Sequence, residues 1–297
     1  MKKSKSLALI VFLSLFAYAP AMASHLAGED LTYALVDSSA GVYHYRVTLS
    51  IYDDCLNGDP LAILNDNPAY LAVYTGADSL VEADSNVYYT LRDSIPIMVN
   101  GSCSGGTLPA VCSERFTFVK DYYLPASATG YNIVYERCCL NFTANLYNAF
   151  NQGMALTCHI PPSSITTHNN SAVFTNYPPL ILIPGIPLAY NCAATDADGD
   201  SLTYEFCTGY TYTAADSPQN LKPFPTLPPP YIAYTYIAPL SYSNPMTCSV
   251  PLTINAVTGL LTGTPDSDGV YFVSVCCSEW RDGVLINTVQ REFEFTV

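Results

Sequence analysis

The acidic run Asp196-Ala197-Asp198-Gly199-Asp200 is the densest concentration of chemistry in this chain. Its three carboxylates fall at i, i+2 and i+4 around a glycine, and an extended run, Ser201-Leu202-Thr203-Tyr204, follows at once. Hard cations such as Ca²⁺ are held by several oxygens from one short loop, and alternate residues of an extended segment converge to supply them. An EF-hand needs glycine at its sixth position and glutamate at its twelfth. Counted from Asp196, those positions are Ser201 and Cys207, so this is not an EF-hand. Two readings stand side by side: a structural Ca²⁺ loop built on Asp196, Asp198 and Asp200, or an Asx-type turn with solvated charges. Other acids cluster at Asp53/Asp59, again in a turn-like setting. A glycosidase would instead need paired carboxylates facing a cleft.

Strands must position this loop. Residues 31–36, 43–52, 70–74, 87–91, 115–119, 132–138 and 153–160 read as strands, alternating or rich in β-branched and aromatic residues. The clearest is 43–52, where Tyr43, Tyr45, Val47, Leu49 and Ile51 share one face. After a polar, Pro-rich stretch at 161–172, further strands are expected at 180–183, 202–207, 253–254, 269–279 and 284–297, with Arg281-Asp282-Gly283 turning a hairpin. Residues 145–152 allow at most a turn of helix. The pattern predicts an all-β chain of two sandwich domains, 24–165 and 166–297.

The first residues read as an export signal. Lys2, Lys3 and Lys5 precede an apolar run over 7–19, and Ala21-Met22-Ala23 offers a small-x-small cleavage site. Residues 1–23 are thus a signal peptide, too short to span a bilayer comfortably, and Ser24 opens the mature chain. No later run is long and apolar enough to cross a membrane as a helix. The whole chain carries 11 Lys+Arg against 25 Asp+Glu, a formal net charge of −14, and loss of the leader's lysines makes it more negative still. That balance excludes nucleic acid, whose phosphates require clustered Lys and Arg. It favours divalent cations instead.

Eleven cysteines in an exported protein imply a disulfide framework. No C-x₂-C or C/H spacing points to structural zinc. Cys103 and Cys112 flank a short Gly/Ser/Pro loop and are the first expected bridge. Cys55 with Cys138 or Cys139, and Cys207 with Cys276 or Cys277, are further candidates. Adjacent cysteines in strands point to opposite faces, so one sulfur of each Cys-Cys pair is expected inward and one outward. The odd count leaves a thiol over.

A long insert, 208–250, carries Pro228-Pro229-Pro230 and the tyrosines Tyr231, Tyr234, Tyr236 and Tyr242. It exceeds an ordinary connection and calls for a role. Those tyrosines either stack on a sugar or peptide ligand or cover an exposed sheet edge.

Several stretches together carry a resemblance. They are Ser24-His25-Leu26-Ala27-Gly28-Glu29-Asp30, Leu49-Ser50-Ile51-Tyr52-Asp53-Asp54-Cys55, Tyr135-Glu136-Arg137-Cys138-Cys139-Leu140-Asn141, Val173-Phe174-Thr175-Asn176-Tyr177-Pro178-Pro179, the Asp-rich loop, and Thr258-Gly259-Leu260-Leu261-Thr262-Gly263-Thr264-Pro265. In this order they resemble a family of secreted surface adhesins of Bacteroidota, linked to gliding motility and type IX secretion, with cadherin-like or immunoglobulin-like modules. The resemblance spans the mature chain and is strongest over 173–297. It implies Asp-rich loops at a domain end, completed by a neighbouring strand or linker, for which Glu279 and Asp282 are the candidates. It also implies a secreted or cell-surface location, and other surface proteins or glycans as partners. Members of the family commonly continue into further repeats, whereas this sequence ends at Val297, which leaves three readings: a truncated reading frame, a stand-alone module or a partner of a larger fibre. Asp53-Asp54-Cys55 departs from the family's Arg-Asp-Cys-like run and makes that corner more acidic. The leading expectation is a non-enzymatic adhesion or structural module rigidified by Ca²⁺; the alternative is a carbohydrate-binding module that uses the insert.

Overall fold

The computed structural model describes residues 25–101, 107–213 and 222–297. Residues 1–23, read above as an export signal, Ser24, Cys103 and the middle of the insert lie outside the described residues. The chain is an antiparallel all-β sandwich. Its central sheet has seven strands, in the order β12 (Ser201–Phe206), β17 (Val270–Arg281), β18 (Val284–Thr296), β1 (Leu26–Ser39), β2 (Val42–Asp54), β6 (Ser113–Pro125) and β5 (Tyr89–Ser94). The first and last long strands of the chain are therefore neighbours. Gly28 permits that contact: a Cβ there would meet the Glu292 carbonyl oxygen at 2.3 Å.

Strand alternation puts two cores on opposite faces of this sheet. Leu31 pairs with Leu49 and Tyr33 with Val47, and these side chains point to one face together with Glu29 and its partner Glu292. That face is covered by a four-stranded sheet, β4 (Leu80–Val87), β3 (Ala69–Thr75), β7 (Tyr131–Arg137) and β8 (Met154–Ile160), which contributes Leu71, Val73, Ile133, Tyr135 and Leu156 to the first core. Val273, Val275, Phe293 and Phe295 point the other way. They form the second core with Leu188 of β10 (Leu188–Asn191), Leu261 of β16 (Leu260–Pro265) and Leu252 of β15 (Cys248–Ile254). Apart from Tyr234 and Phe272, which enter the first core, the buried apolar residues of the two cores divide close to residue 165, but the sheet does not. Two sandwiches share one sheet.

Local chemistry sets the corners. The β17–β18 hairpin turns through Asp282 and Gly283, with φ of 53° and 79°, the doubly left-handed two-residue turn that Asp-Gly favours. A six-residue helix, α1 (Pro60–Asn65), has no apolar periodicity to announce it; Asp59 caps it by accepting from Leu61 N at 2.8 Å, and Pro60 opens it. The strand expected at 180–183 is reduced to isolated bridges of Ile181 with Val99 and Thr296. At 145–152 the only helical turn is a 3₁₀ turn, Ala149–Asn151.

The disulfides differ from the first expectation. Cys112 is bonded to Cys55, not to Cys103, because the end of β2 lies beside β6 and Cys55 N donates to the Cys112 carbonyl at 3.2 Å. Cys138 and Cys139 are bonded to each other across a cis peptide, so neither reaches Cys55. Opposite-facing sulfurs would need a continuing strand, and β7 has ended at Arg137. Cys207 is bonded to Cys276, while Cys277 points into the second core. Among the described residues Cys158, Cys192, Cys248 and Cys277 are free thiols.

Candidate functional site

The Asp-rich loop joins β11 (Ala194–Thr195) to β12 and winds around one carboxylate. Asp196 Oδ1 accepts from the backbone N–H of Asp198 and of Asp200, each at 2.9 Å, and Gly199 takes the left-handed conformation that closes the loop (φ 81°). The neighbouring carboxylates then face one guanidinium. Arg281, at the end of β17, holds Asp200 in a two-pronged contact, Nε to Oδ1 and Nη2 to Oδ2, both at 2.7 Å, and lies 3.5 Å from Asp198.

The same side chains tie down the segment between the two halves. Arg281 donates to the His168 carbonyl at 2.8 Å and to Asn169 Oδ1 at 2.9 Å. Asp198 accepts from Asn170 N at 2.6 Å and from Asn170 Nδ2 at 3.0 Å, and the His168 ring lies 3.1 Å away. Glu279, buried on β17, accepts from Ala172 N at 2.6 Å, Asn169 Nδ2 at 3.1 Å and Asn287 Nδ2 at 3.2 Å. Burial pushes the Glu279 carboxyl up to about 7, against the opposing pull of those donors. Ser171 and Asn170 complete the seam by accepting from Tyr33 N and Leu35 N of β1.

Of the five candidate ligands, Asp196, Asp200 and Glu279 come together, with one oxygen from each inside a mutual distance of 4.8 Å. Asp198 is committed to Asn170 and His168. Asp282 is a correction: its left-handed turn position carries it away from the cluster, in the exposed hairpin tip. The residue missed in the sequence is Arg281, whose signal was only its place beside the Asp-Gly turn. Asp196 Oδ2 is buried with no hydrogen-bond partner, and the nearby donors are all oxygens, the set that a hard cation takes. Four carboxyls around one guanidinium leave negative charge for such an ion to balance.

The insert tyrosines need correcting as ligand contacts. Tyr234 is 5% exposed and donates to Glu292 Oε2 at 2.8 Å, inside the first core. Tyr231 donates to the Leu227 carbonyl at 3.0 Å, and Tyr236 packs against the same core. Only Tyr242 is exposed. The insert folds back over the outer face of the four-stranded sheet: Tyr74 donates to the Thr226 carbonyl at 2.9 Å and Glu136 accepts from Leu227 N at 3.1 Å. Those rings are spent on packing the second half of the chain against the first.

A cleft of about 320 Å³ opens elsewhere on the seam, lined by Tyr52, Ile95, Phe142, Tyr177, Phe293 and Glu294 among others. Its rim is aromatic, and Asp54 and Glu294 bring carboxyls to its wall. Glu294 Oε2 accepts from Asn141 Nδ2 at 3.2 Å, while Oε1 is buried without a partner. Burial pushes this carboxyl up to about 8. Beside it, Arg291 donates to Asp30 at 2.8 Å and to the Asn176 carbonyl at 2.8 Å, and Tyr52 donates to Asp30 at 2.8 Å.

Comparison with protein-family models, with curated proteins and with solved structures gives no match to this chain. Among the described residues, no helix is long and apolar enough to cross a membrane.

Proposed function

We propose that this protein is a secreted, non-enzymatic structural or adhesive module of the cell surface, in which the Asp196 loop takes one Ca²⁺ and stiffens the joint between the two halves. The observation that carries the reading is where the carboxylates lie. Asp196, Asp200 and Glu279 come together beside residues 166–172, the segment that passes from one core to the other: Glu279 accepts from Asn169 and Ala172, Asp198 of the same loop from Asn170, and Arg281 joins Asp200 to His168 and Asn169. A cation held by these acids would neutralise charge left over by Arg281 and lock that segment to the sheet. The acidic, disulfide-bonded composition and the export signal support the same setting.

Ligand binding to the native state must raise its stability. A thermal melt of the mature protein is therefore expected to shift upward in millimolar Ca²⁺ and return in chelator, with the shift lost in Asp196→Asn. A melting temperature indifferent to Ca²⁺ would sink the cation reading and leave Arg281 as the sole clamp.

The aromatic cleft favours a second reading, a module that binds a small glycan. Its volume reaches the lower end of ordinary ligand sites, and Tyr177 and Phe142 offer rings for a sugar face. A glycan array on wild type and Tyr177→Ala separates this reading from the first: binding lost in the variant supports it, and an empty array removes it.

A further inference from the structure

The corner where β1, β2, α1 and β7 meet holds a second cluster, unlike the Asp196 loop in burial and in chemistry. His25, Asp53 and Asp66 each turn one ligand atom into the same space, all within 4.8 Å of one another. His25, Asp53 and Asp66 are 0%, 0% and 1% exposed. His25 Nε2 lies 2.7 Å from Asp66 Oδ2. Asp66 Oδ1 accepts from Arg137 Nε, and Arg137 also donates to the Cys138 and Ala62 carbonyls. Asp53 differs from its neighbours: both of its oxygens are buried, and neither has a hydrogen-bond partner. Glu29, fully buried on the same face of the sheet, is in the same condition.

An ionised carboxylate is not carried into a sandwich core without compensation. Three carboxylates, those of Asp53, Asp66 and Glu29, stand against one guanidinium, that of Arg137. Ionised together, the three exceed it by two charges, the charge of one divalent cation. The donor set identifies the class of ion. An imidazole nitrogen beside carboxylate oxygens suits zinc and its first-row neighbours, whereas Ca²⁺ takes oxygen alone. Arg137 stands where an outer partner of a ligating carboxylate belongs, fixing Asp66 through the oxygen that does not face His25.

We propose that His25, Asp53 and Asp66 form a buried structural site for a zinc-type divalent cation. The ion takes the place of the proton shared by His25 and Asp66, which passes to solvent as the site loads, and it supplies the partner that Asp53 lacks. Because the ligands come from the residue before β1, the end of β2 and the residue after α1, one ion pins three elements at this corner of the fold. The site is independent of the Asp196 loop and of the Ca²⁺ reading.

Cobalt(II) is the probe, since it takes zinc sites and reports its ligands by colour. The full-length chain is produced under oxidising conditions in cobalt-supplemented medium and dialysed against metal-free buffer. One equivalent of cobalt per chain is expected to remain, with d–d absorption but no thiolate charge-transfer band, which separates this site from free thiols such as Cys158, Cys192, Cys248 and Cys277. Asp53→Asn keeps the side chain's shape and removes an unpartnered charge, so it folds at least as well as wild type in chelator, yet its retained cobalt falls by about tenfold or more. Asp200→Asn retains cobalt as wild type does, which keeps this test apart from that of the Ca²⁺ loop. No retained cobalt in wild type, a thiolate band, or equal retention in Asp53→Asn would each overturn the assignment.

Discussion

The Asp196 loop and the His25 corner use the same side chains under opposite conditions. At the loop, Arg281 keeps 29% of its side chain exposed, and the acids around it accept from backbone amides, asparagines and a guanidinium that water also reaches. At the corner, the Arg137 side chain is 1% exposed beside an Asp66 side chain of 0%, and the neighbouring Asp53 carboxyl accepts from none of the described residues. The difference is one of dielectric. Charges near the surface tolerate imperfect pairing because solvent screens them, whereas the same charges in a core must be matched by a counter-ion, a proton or a metal. An acidic pattern in a sequence therefore says little until burial is known. The more conspicuous run, Asp196 to Asp200, is the better solvated of the two.

The sharpest way to break this comparison is to remove the cation from each cluster. Arg137→Met leaves Asp66 buried beside Asp53 and is expected to cost about 3–5 kcal/mol of folding stability. Arg281→Met removes hydrogen bonds to Asp200, Asn169, Thr166 and His168, but its partners are nearer to water, and the expected cost is about 1–3 kcal/mol. Denaturant unfolding of the two variants measures both. Equal losses would mean that burial does not distinguish the clusters.

A proton is the second lever, and β18 supplies the group to test. The Glu294 carboxyl is pushed from 4.5 up to about 8 by burial. Its raised folded pKa makes protonation part of the native state, so its contribution is fully present below about pH 4.5 and is lost as the pH rises toward 8. Stability should thus fall with rising pH across that window, at a slope of up to about 1.4 kcal/mol per unit for this group. Glu294→Gln, which stays neutral, should flatten the profile. A slope unchanged in the variant would show that other carboxyls govern the alkaline side.

Much of the fold was legible because strand periodicity is local. The alternation of Tyr43, Tyr45, Val47, Leu49 and Ile51 marks β2, and Asp282-Gly283 marks the β17–β18 hairpin, since both features follow from neighbouring residues. The pairing of β1 with β18 was not legible. Asp30 and Arg291 are separated by 261 positions, and nothing in either strand names the other; the one trace is Gly28, whose missing side chain admits Glu292. The same limit applies to the cysteines. Short spacing favoured Cys103 with Cys112, but strand register placed Cys55 at Cys112. At the acidic loop the ligand types were readable, while Arg281 was not, because a guanidinium after a strand looks like any solvated charge. His25 is illegible as a ligand for the converse reason: a lone histidine carries no pattern until Asp53 and Asp66 are folded against it.

The smallest expected effects fall in the insert, where the same contrast recurs with tyrosine in place of carboxylate. Tyr234 is buried, stacks edge-on against Phe272 at 5.4 Å and gives its hydroxyl proton to Glu292, a carboxylate that also accepts from Ser274 and Gln290. Tyr234→Phe deletes only that hydroxyl and leaves one fewer donor on a buried acid, so about 1–2 kcal/mol of stability should be lost. Tyr242 is 44% exposed, and Tyr242→Ala should stay within about 0.5 kcal/mol of wild type. Chemical unfolding resolves the pair. If Tyr242→Ala proved the more costly, the exposed end of the insert would be packing against something outside this chain. The fold-back of the insert would then be half of an interface, and not only the means by which one core is fastened to the other.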